Sequence, residues 1–251
     1  MVAELTSHLK MTEDIHTVRS IAELSTLVES RFRDDASTTV LYRGHGAASF
    51  TLRPKVGRAL PPANATSKTV NESLMLELFR RQSVDRVEVA DIDDWELLAI
   101  AQHHGLPTRL LDWTRSPLVA LYFAVCKEYE SRDSDGCPRC EDAEILAWRS
   151  YKKDLSKPLP KNGPLKIEKA IRYIPRIVTS RLRAQSGVFT VHSTPAQNFV
   201  PDGPLVRIRI PYNNRKDLKR SLFGHGVHEA VLFPDLDGLA RHIAWCQTEC
   251  Y

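Results

Sequence analysis

The sequence lacks any long apolar segment, because no run approaches the roughly 18 residues that a membrane-spanning helix needs. Its first twenty residues, MVAELTSHLKMTEDIHTVRS, contain early acidic residues and no apolar stretch of the kind found in secretion signals. We therefore expect a soluble chain that stays in the cytoplasm and has no membrane partner.

Several catalytic signatures are also absent. The chain has no phosphate-binding P-loop, no GxGxxG fingerprint and no GxSxG nucleophile elbow. These absences remove support for a kinase, an NTPase, a Rossmann-type enzyme or an α/β-hydrolase.

Cysteine is scarce, with five residues in the chain. Cys137 and Cys140 form a CxxC pair, and Cys246 and Cys250 lie four positions apart. In a reducing compartment such residues are free thiols or metal ligands. About a hundred residues separate the two pairs, which removes the local spacing typical of zinc sites. We therefore expect no metal, no zinc at Cys137 and Cys140, and a core position for Cys126.

The composition is that of a globular protein with a sizeable core. Of the 251 residues, 42% are hydrophobic and 26% are charged. The net charge of +4 tolerates an anionic ligand but lacks the strong basic bias of a dedicated nucleic-acid binder. We expect a single domain over 1–251, with its core at about 20–245, a helical part at about 71–130 and a flexible tail at 248–251.

Periodicity and capping residues predict an α+β fold. Helices are expected over 13–33 with Asp14 as cap, 71–84, 93–104, from Ser116 and Pro117 onward, 216–226, and 237–247 with Asp237 as cap. Strands are expected over 39–43, 143–150, 187–193, 204–211 and within 228–236, and an extended link over 108–114.

Arg43 is the first candidate for a functional residue, because it ends a buried strand and precedes Gly44. A charged group in an apolar segment is costly unless it is used. One interpretation puts Arg43 at the rim of a cleft, where the glycine lets backbone approach a ligand. The other makes it a structural arginine that pairs with a carboxylate such as Asp112.

The segment 102–114 is dense in titratable and hydrogen-bonding residues. His103 and His104 are adjacent, and two adjacent residues on a helix point in different directions. At most one of them can therefore point into the same cleft as Arg109 or Asp112. Arg109 offers a fork suited to phosphate or carboxylate, or it pairs with Asp112 and locks the loop. Ser116 begins a helix, and helix N-termini attract anions.

Glu229 is the one late acidic residue without a local explanation. It stands at the start of the expected strand, whereas Asp235 and Asp237 fit a turn and a helix cap. It is either a functional acid or a plain exposed strand end.

Four blocks of the sequence resemble the FRG domain family. Tyr42-Arg43-Gly44 is similar to the aromatic-Arg-Gly motif that names the family, with Tyr in place of Phe. The stretch 101–124 resembles the central block nearly residue for residue, and 183–190 and 232–239 resemble two later blocks. The resemblance spans about 20–245, and it implies a bacterial or phage context often linked to defence or toxicity.

A more distant resemblance is to the ADP-ribosyltransferase fold, whose split mixed or antiparallel sheets enclose an inserted helical segment. Enzymes of that fold carry an Arg-Gly or His-Gly at the end of their first strand, a Ser/Thr-bearing strand followed by a helix, and a late acid at a strand start. This resemblance implies NAD as substrate, with ADP-ribose passed to water or to a protein or nucleic acid. Catalytic roles are then expected for Arg43, His104 and Glu229. NAD contacts are expected from Tyr42, Gly44, Arg109, Asp112, Thr114, Ser116, Phe123 and Gln185, with Tyr122 or Phe123 stacking on nicotinamide.

Two other functions remain open at this point. A nucleic-acid-binding or nuclease-like module would use the basic stretches 149–183 and 207–220 with their interleaved tyrosines. A non-catalytic sensor or scaffold would pair Arg43 with Asp112 away from solvent. The transferase hypothesis instead requires Arg43, Arg109 and Glu229 to face one pocket.

Overall fold

A computed structural model describes residues 14–59, 70–83, 92–127, 130–132, 138–154, 157–176 and 179–250. Over these residues the chain has the expected α+β architecture, with helices packed on a mixed sheet. The strands are β1 Asp14–Thr17, β2 Thr38–His45, β3 Leu110–Thr114, β4 Glu130–Arg132, β5 Pro138–Cys140, β6 Ala143–Tyr151, β7 Ile171–Tyr173, β8 Gly187–Val191 and β9 Leu205–Ile210.

Seven of these strands form one sheet in the order β1-β9-β6-β2-β3-β8-β7, and β4 pairs with β5 in a separate hairpin. β1 runs parallel to β9, and all other neighbours in the large sheet are antiparallel. β2 pairs with β6 along its whole length, but it meets β3 only where Tyr42 lies opposite Thr114. The sheet therefore has a four-stranded and a three-stranded half that are joined at a narrow seam.

The helices are α1 Ile21–Arg31, α2 Lys55–Arg58, α3 Glu72–Gln82, α4 Asp94–His103, α5 Pro117–Val125, α6 Ser180–Ala184, α7 Arg215–Gly224, α8 Glu229–Leu232 and α9 Leu236–Trp245. Short-range signals explain where several of them begin. Asn71, Asp93 and Ser116 each accept a hydrogen bond from a backbone amide in the first turn of α3, α4 and α5. None of the described helices combines the length and apolarity that crossing a bilayer demands.

The prediction of one helix over 13–33 is wrong at its start. Asp14–Thr17 forms β1, because it pairs in register with Val206–Arg209 of β9. The helix begins only after Ser20, whose hydroxyl accepts a hydrogen bond from the amide of Glu23. A cap at Asp14 is therefore corrected to a cap at Ser20.

The predicted strand within 228–236 is also wrong, because Glu229–Leu232 forms the short helix α8. The cap of the last helix is Asp235 instead of Asp237, and its carboxylate accepts from the amide of Gly238. The extended link over 108–114 contains the strand β3, which lies in the middle of the sheet.

Three apolar clusters pack on the sheet in the part of the chain that the structure describes, and one of them holds Leu41, Trp113 and Trp148. On one face α1, α5 and α7 pack on β2, β6 and β9 around residues such as Tyr42, Leu121 and Ile145. A separate cluster joins α3 and α4 to β3, β7 and β8 through residues such as Leu98 and Phe189. The α4 side of β3 is therefore where the helical part of the chain meets the smaller half of the sheet.

Gly44 allows α5 to lie directly against β2. A Cβ atom at Gly44 would come within 2.1 Å of the carbonyl oxygen of Ala120 and 2.6 Å of the amide nitrogen of Ala124. Both atoms belong to helix backbone, which cannot move aside as a flexible side chain can. The sequence suggested that Gly44 lets the main chain approach a ligand. This is corrected, because Gly44 instead lets the main chain of α5 approach β2.

We predict that Gly44→Ala destabilises the fold by roughly 3 kcal/mol or more, because the added methyl group forces α5 away from β2. Chemical denaturation with circular dichroism measures the change. Gly224→Ala is the matched control, since nothing lies within 4 Å of a Cβ at Gly224, and it should leave stability unchanged or slightly raised. Equal stability of Gly44→Ala and wild type would refute the close packing of α5 on β2.

Candidate functional site

A cleft opens between α4, β3, α6 and β8, with a volume of about 430 Å³ including its open mouth. Its apolar wall includes Ile100, Leu182 and the largely buried ring of Phe189. The polar residues that line it are Gln102, His103, Asp112, Thr179, Arg181 and Gln185. This combination of an apolar wall and a few converging polar groups is typical of small-molecule sites.

Asp112 is the acidic residue among those lining this cleft, and its side chain is 60% exposed. It lies on the one position of β3 that faces solvent. The Gln102 side-chain amide donates to Asp112 Oδ2 at 2.9 Å, and the Thr108 hydroxyl donates to Gln102 Oε1 at 2.6 Å. Thr108 is fully buried, so this relay holds one carboxylate oxygen in place.

Arg43 lies beside Asp112 at the seam of the sheet. Its Nη1 donates to the main-chain oxygen of Asp112 at 2.5 Å and lies 3.7 Å from Asp112 Oδ2. Burial lowers the pKa of Arg43, and the Asp112 carboxylate opposes that shift. The structure therefore combines both sequence interpretations, since Arg43 contacts Asp112 but the Asp112 carboxylate stays open to solvent.

Arg181 lines the cleft and supplies a second guanidinium. It donates to the main-chain oxygen of His103 at 3.2 Å and lies over the ring of Phe233. Burial lowers the pKa of Arg181, whereas the carboxylates of Asp112 and Asp235 raise it. Within the described residues no carboxylate comes within 4 Å of Arg181, so its charge remains available to an anion.

Gln185 closes the cleft just before β8 begins. Its side-chain amide donates to the main-chain oxygen of Leu232 at 3.0 Å, and its own main-chain oxygen accepts from the Thr114 hydroxyl at 2.6 Å. Thr114 is buried and also accepts from the amide of Ser116. Ser116 in turn caps α5. Thr114 and Ser116 thus make structural bonds beside the cleft, and their contacts with a ligand stay a prediction.

Arg109 is a structural residue, in contrast to its expected role at a phosphate. Its Nε donates to Glu72 Oε2 at 2.8 Å, and its amide donates to Glu72 Oε1 at 2.7 Å. Its Nη1 donates to the main-chain oxygens of Leu165 and His192. The pairing with Asp112 that the sequence allowed is absent, because Glu72 from α3 takes its place. The Arg109 side chain is therefore not among the residues that line the cleft.

Glu229 belongs to a different part of the surface. Its carboxylate accepts from the Tyr122 hydroxyl at 3.0 Å and from Arg241 Nε at 2.5 Å. It lines a second, smaller cleft together with His228 and Trp245. The requirement that Arg43, Arg109 and Glu229 face one pocket is not met, since each of the three side chains has separate partners.

The aromatic residues expected to contact NAD are part of the core. Tyr42 is 3% exposed and packs edge-on against Phe32, and burial raises its pKa to about 12. Tyr122 is buried as well, and Phe123 packs against Phe233. Tyr122 and Phe123 therefore pack in the apolar cluster beneath α1, α5 and α7, and this placement does not favour stacking on nicotinamide.

Of the two adjacent histidines, His103 lines the cleft, whereas the expected catalytic residue His104 is exposed at the end of α4. Burial, together with Arg181, lowers the pKa of His103 to about 4. Sequence reasoning also left Gln102 and Arg181 without a role. Gln102 and His103 lie three and four positions after Ala99 and so share a helix face with it, which is a usable signal for Gln102. No local spacing links Arg181 to them.

Some arginines of the basic stretches are engaged inside the protein, whereas Lys152, Lys153 and Arg176 are exposed. Arg172 pairs with Asp154 at 3.1 Å and with Asp202 at 2.5 Å, and Arg215 is buried with main-chain oxygens as partners. Tyr173 is 2% exposed and cannot stack on a base. These contacts reduce the support for a phosphate-tracking groove.

Metal ligands are not grouped in the part of the chain that the structure describes. Cys126, Cys140 and Cys246 are free thiols there, and burial raises the pKa of Cys126 to about 11. Cys137 lies outside the described residues, so the expectation about its CxxC pair stays a prediction.

Residues 38–133 match the family model of the FRG domain. The match includes the Tyr42-Arg43-Gly44 motif and the central block, whereas the two later blocks lie beyond it. No curated protein and no solved structure matches this chain.

We predict that Arg109→Ala lowers the free energy of unfolding by about 3–5 kcal/mol, because it leaves Glu72 buried and unpaired. Denaturant titration measures this loss. Arg31→Ala is the control: its pair with Asp14 is exposed on both sides, and such pairs contribute about 1 kcal/mol or less. A stable Arg109→Ala protein would contradict the structural role of Arg109.

We also predict that stability falls as the pH drops from 6.5 toward 4. Burial, with Arg43 and Arg109, lowers the pKa of His192 from 6.5 to about 4, so protonation favours the unfolded state in this range. The contribution of His192 reaches roughly 3 kcal/mol at the acid end. Unfolding measured between pH 7 and 4 should show a flatter profile for His192→Gln than for wild type. The exposed His225→Gln serves as control, and an unchanged profile for His192→Gln would count against this assignment.

Proposed function

We propose that the cleft beside β3, within the chain whose residues 38–133 match the family model of the FRG domain, binds NAD and cleaves the bond between its ribose and nicotinamide. ADP-ribose then passes to water or to a macromolecule. The observation that carries this proposal is the solvent-open carboxylate of Asp112, which lies beside Arg43 and is held by Gln102.

The arrangement of the strands supports the proposal. The resemblance to the ADP-ribosyltransferase fold implies a split sheet, an Arg-Gly at the end of one strand and a Thr-bearing strand leading into a helix. In this chain Arg43 and Gly44 lie near the end of β2, and Thr114 ends β3 just before α5. β2 and β3 are the two strands that meet at the narrow seam.

The charges of the cleft fit a dinucleotide. Arg181 in the cleft and Arg43 beside Asp112 offer guanidinium groups suited to pyrophosphate oxygens or ribose hydroxyls. Ile100, Leu182 and Phe189 provide an apolar wall for a flat ring. The cleft is open at its mouth, so part of a dinucleotide bound there would extend into solvent.

Cleavage of the glycosidic bond builds positive charge on the ribose as nicotinamide leaves with the bonding electrons. A fixed carboxylate next to that centre stabilises the charge and orients the incoming nucleophile. With water as nucleophile, the products are ADP-ribose, nicotinamide and a proton. Asp112 Oδ2 is held by Gln102, which leaves Asp112 Oδ1 to face the developing charge.

We assign the acid to Asp112 in place of Glu229. The transferase fold carries its late acid at a strand start, but Glu229 begins a helix here. The strand that pairs with β3 is β8, and the cleft residue just before it is Gln185. An amide cannot carry the negative charge, so we take the carboxylate from Asp112 on β3, which lines the same cleft.

The test is nicotinamide release from NAD by the purified chain, alone and with bacterial lysate or RNA added. Asp112→Asn should lower kcat about 100-fold or more, because it removes charge without changing shape. Arg181→Ala should raise KM, since it removes a group that holds the ground state. Thermal melts confirm that each variant is folded.

Glu229→Gln is the matched acid-to-amide control and should keep activity within about threefold of wild type, the effect of a residue outside the cleft. Loss of activity in Glu229→Gln with full activity in Asp112→Asn would return the acid to Glu229. No NAD turnover under any condition would refute the proposed reaction.

A further inference from the structure

A row of ionisable side chains crosses the larger half of the sheet. His45 of β2, Glu144 of β6 and Arg209 of β9 lie directly opposite one another in register. Glu144 is fully buried, and its two oxygens accept from Arg207 Nη1 at 2.8 and 2.9 Å. A buried carboxylate is costly unless cations compensate it, and β9 supplies those cations.

His45 connects this row to the cleft. It is 4% exposed, and its Nε2 accepts a hydrogen bond from Arg43 Nε at 3.2 Å. Since Nε2 is the acceptor, the ring proton is assigned to Nδ1. Nδ1 lies 3.5 Å from Glu144 Oε1, is buried and has no hydrogen-bond partner at that separation.

The neutral form of His45 is the one that this geometry requires. Burial lowers the pKa of His45, and the charges of Arg43 and Arg207 lower it further, whereas Glu144 acts in the opposite direction. A neutral imidazole can accept from Arg43, but an imidazolium cannot.

We propose that His45 and Glu144 are positioning residues for Arg43. Glu144 selects the tautomer that carries its proton on Nδ1, and His45 Nε2 then holds Arg43 Nε. With Nε on His45 and Nη1 on the main chain of Asp112, the guanidinium is held in one plane beside the Asp112 carboxylate. This inference rests on the proposed function only in its choice of NAD as ligand.

The first test is independent of NAD. In ¹⁵N NMR spectra of the wild-type chain, His45 should show a protonated Nδ1 and an unprotonated Nε2, and Arg43 should show an Nε–H signal protected from exchange. Arg43→Lys assigns that signal by its disappearance. His45→Leu should remove the protection, and His45→Gln should restore part of it, because an amide oxygen can also accept from Nε. His45 protonated on Nε2, or unchanged protection in His45→Leu, would overturn the proposal.

The second test uses the proposed reaction. His45→Leu should raise KM for NAD roughly tenfold with a smaller change in kcat, the loss expected for one hydrogen bond to a charged group. His45→Gln should recover part of the loss.

His16→Leu is the matched control, because His16 also contacts an arginine but lies on β1 at the far edge of the sheet. Absence of NAD turnover with the expected NMR result would reject the proposed reaction alone. An unchanged KM in a folded His45→Leu protein would reject the positioning role.

Discussion

The buried ion pair between Arg109 and Glu72 holds the helical part of the chain against the sheet. Glu72 belongs to α3 and Arg109 directly precedes β3, so the pair fixes a distant helix at the start of the strand that carries Asp112. The remaining donors of Arg109 reach the main chain at Leu165 and after β8. One guanidinium thus joins several separate segments behind the cleft.

That arrangement explains why Arg43 and Arg109, both within the region 38–133 that matches the family model, have different roles. Arg109 donates to Glu72 and to main-chain oxygens, whereas Arg43 donates to the main-chain oxygen of Asp112, a residue that lines the cleft. The difference is set by the partners that folding brings, since Glu72 precedes Arg109 by 37 positions. Bidentate geometry suits carboxylate and phosphate equally well, so residue type alone did not separate the two cases.

Local signals predicted much of the fold. Asn71, Asp93 and Ser116 cap the helices that the sequence indicated, and the strand at 143–150 matches β6 closely. The errors fall at Asp14–Thr17 and Glu229–Leu232, two four-residue segments. Segments this short have no stable local preference, and pairing or packing elsewhere in the chain decides their structure.

The sequence located the candidate site better than it identified its members. The central block contains Gln102, His103 and Asp112, but Arg181 and Gln185 reach the cleft from a later part of the chain. Of the residues expected to contact NAD, Asp112 and Gln185 line the cleft. Tyr42 and Gly44 serve packing instead, because α5 lies so close to β2.

At the narrow seam between β2 and β3, side-chain contacts hold the two halves of the sheet together more than main-chain hydrogen bonds do. Elsewhere in the sheet a ladder of hydrogen bonds resists sliding, but here one register pair does so. The rings of Trp113 and Trp148 lie 5.2 Å apart across β2, and Arg43 bridges to Asp112. The relative position of the two halves of the sheet therefore depends on which side chains meet at the seam. A substitution there can change this position while every strand stays intact.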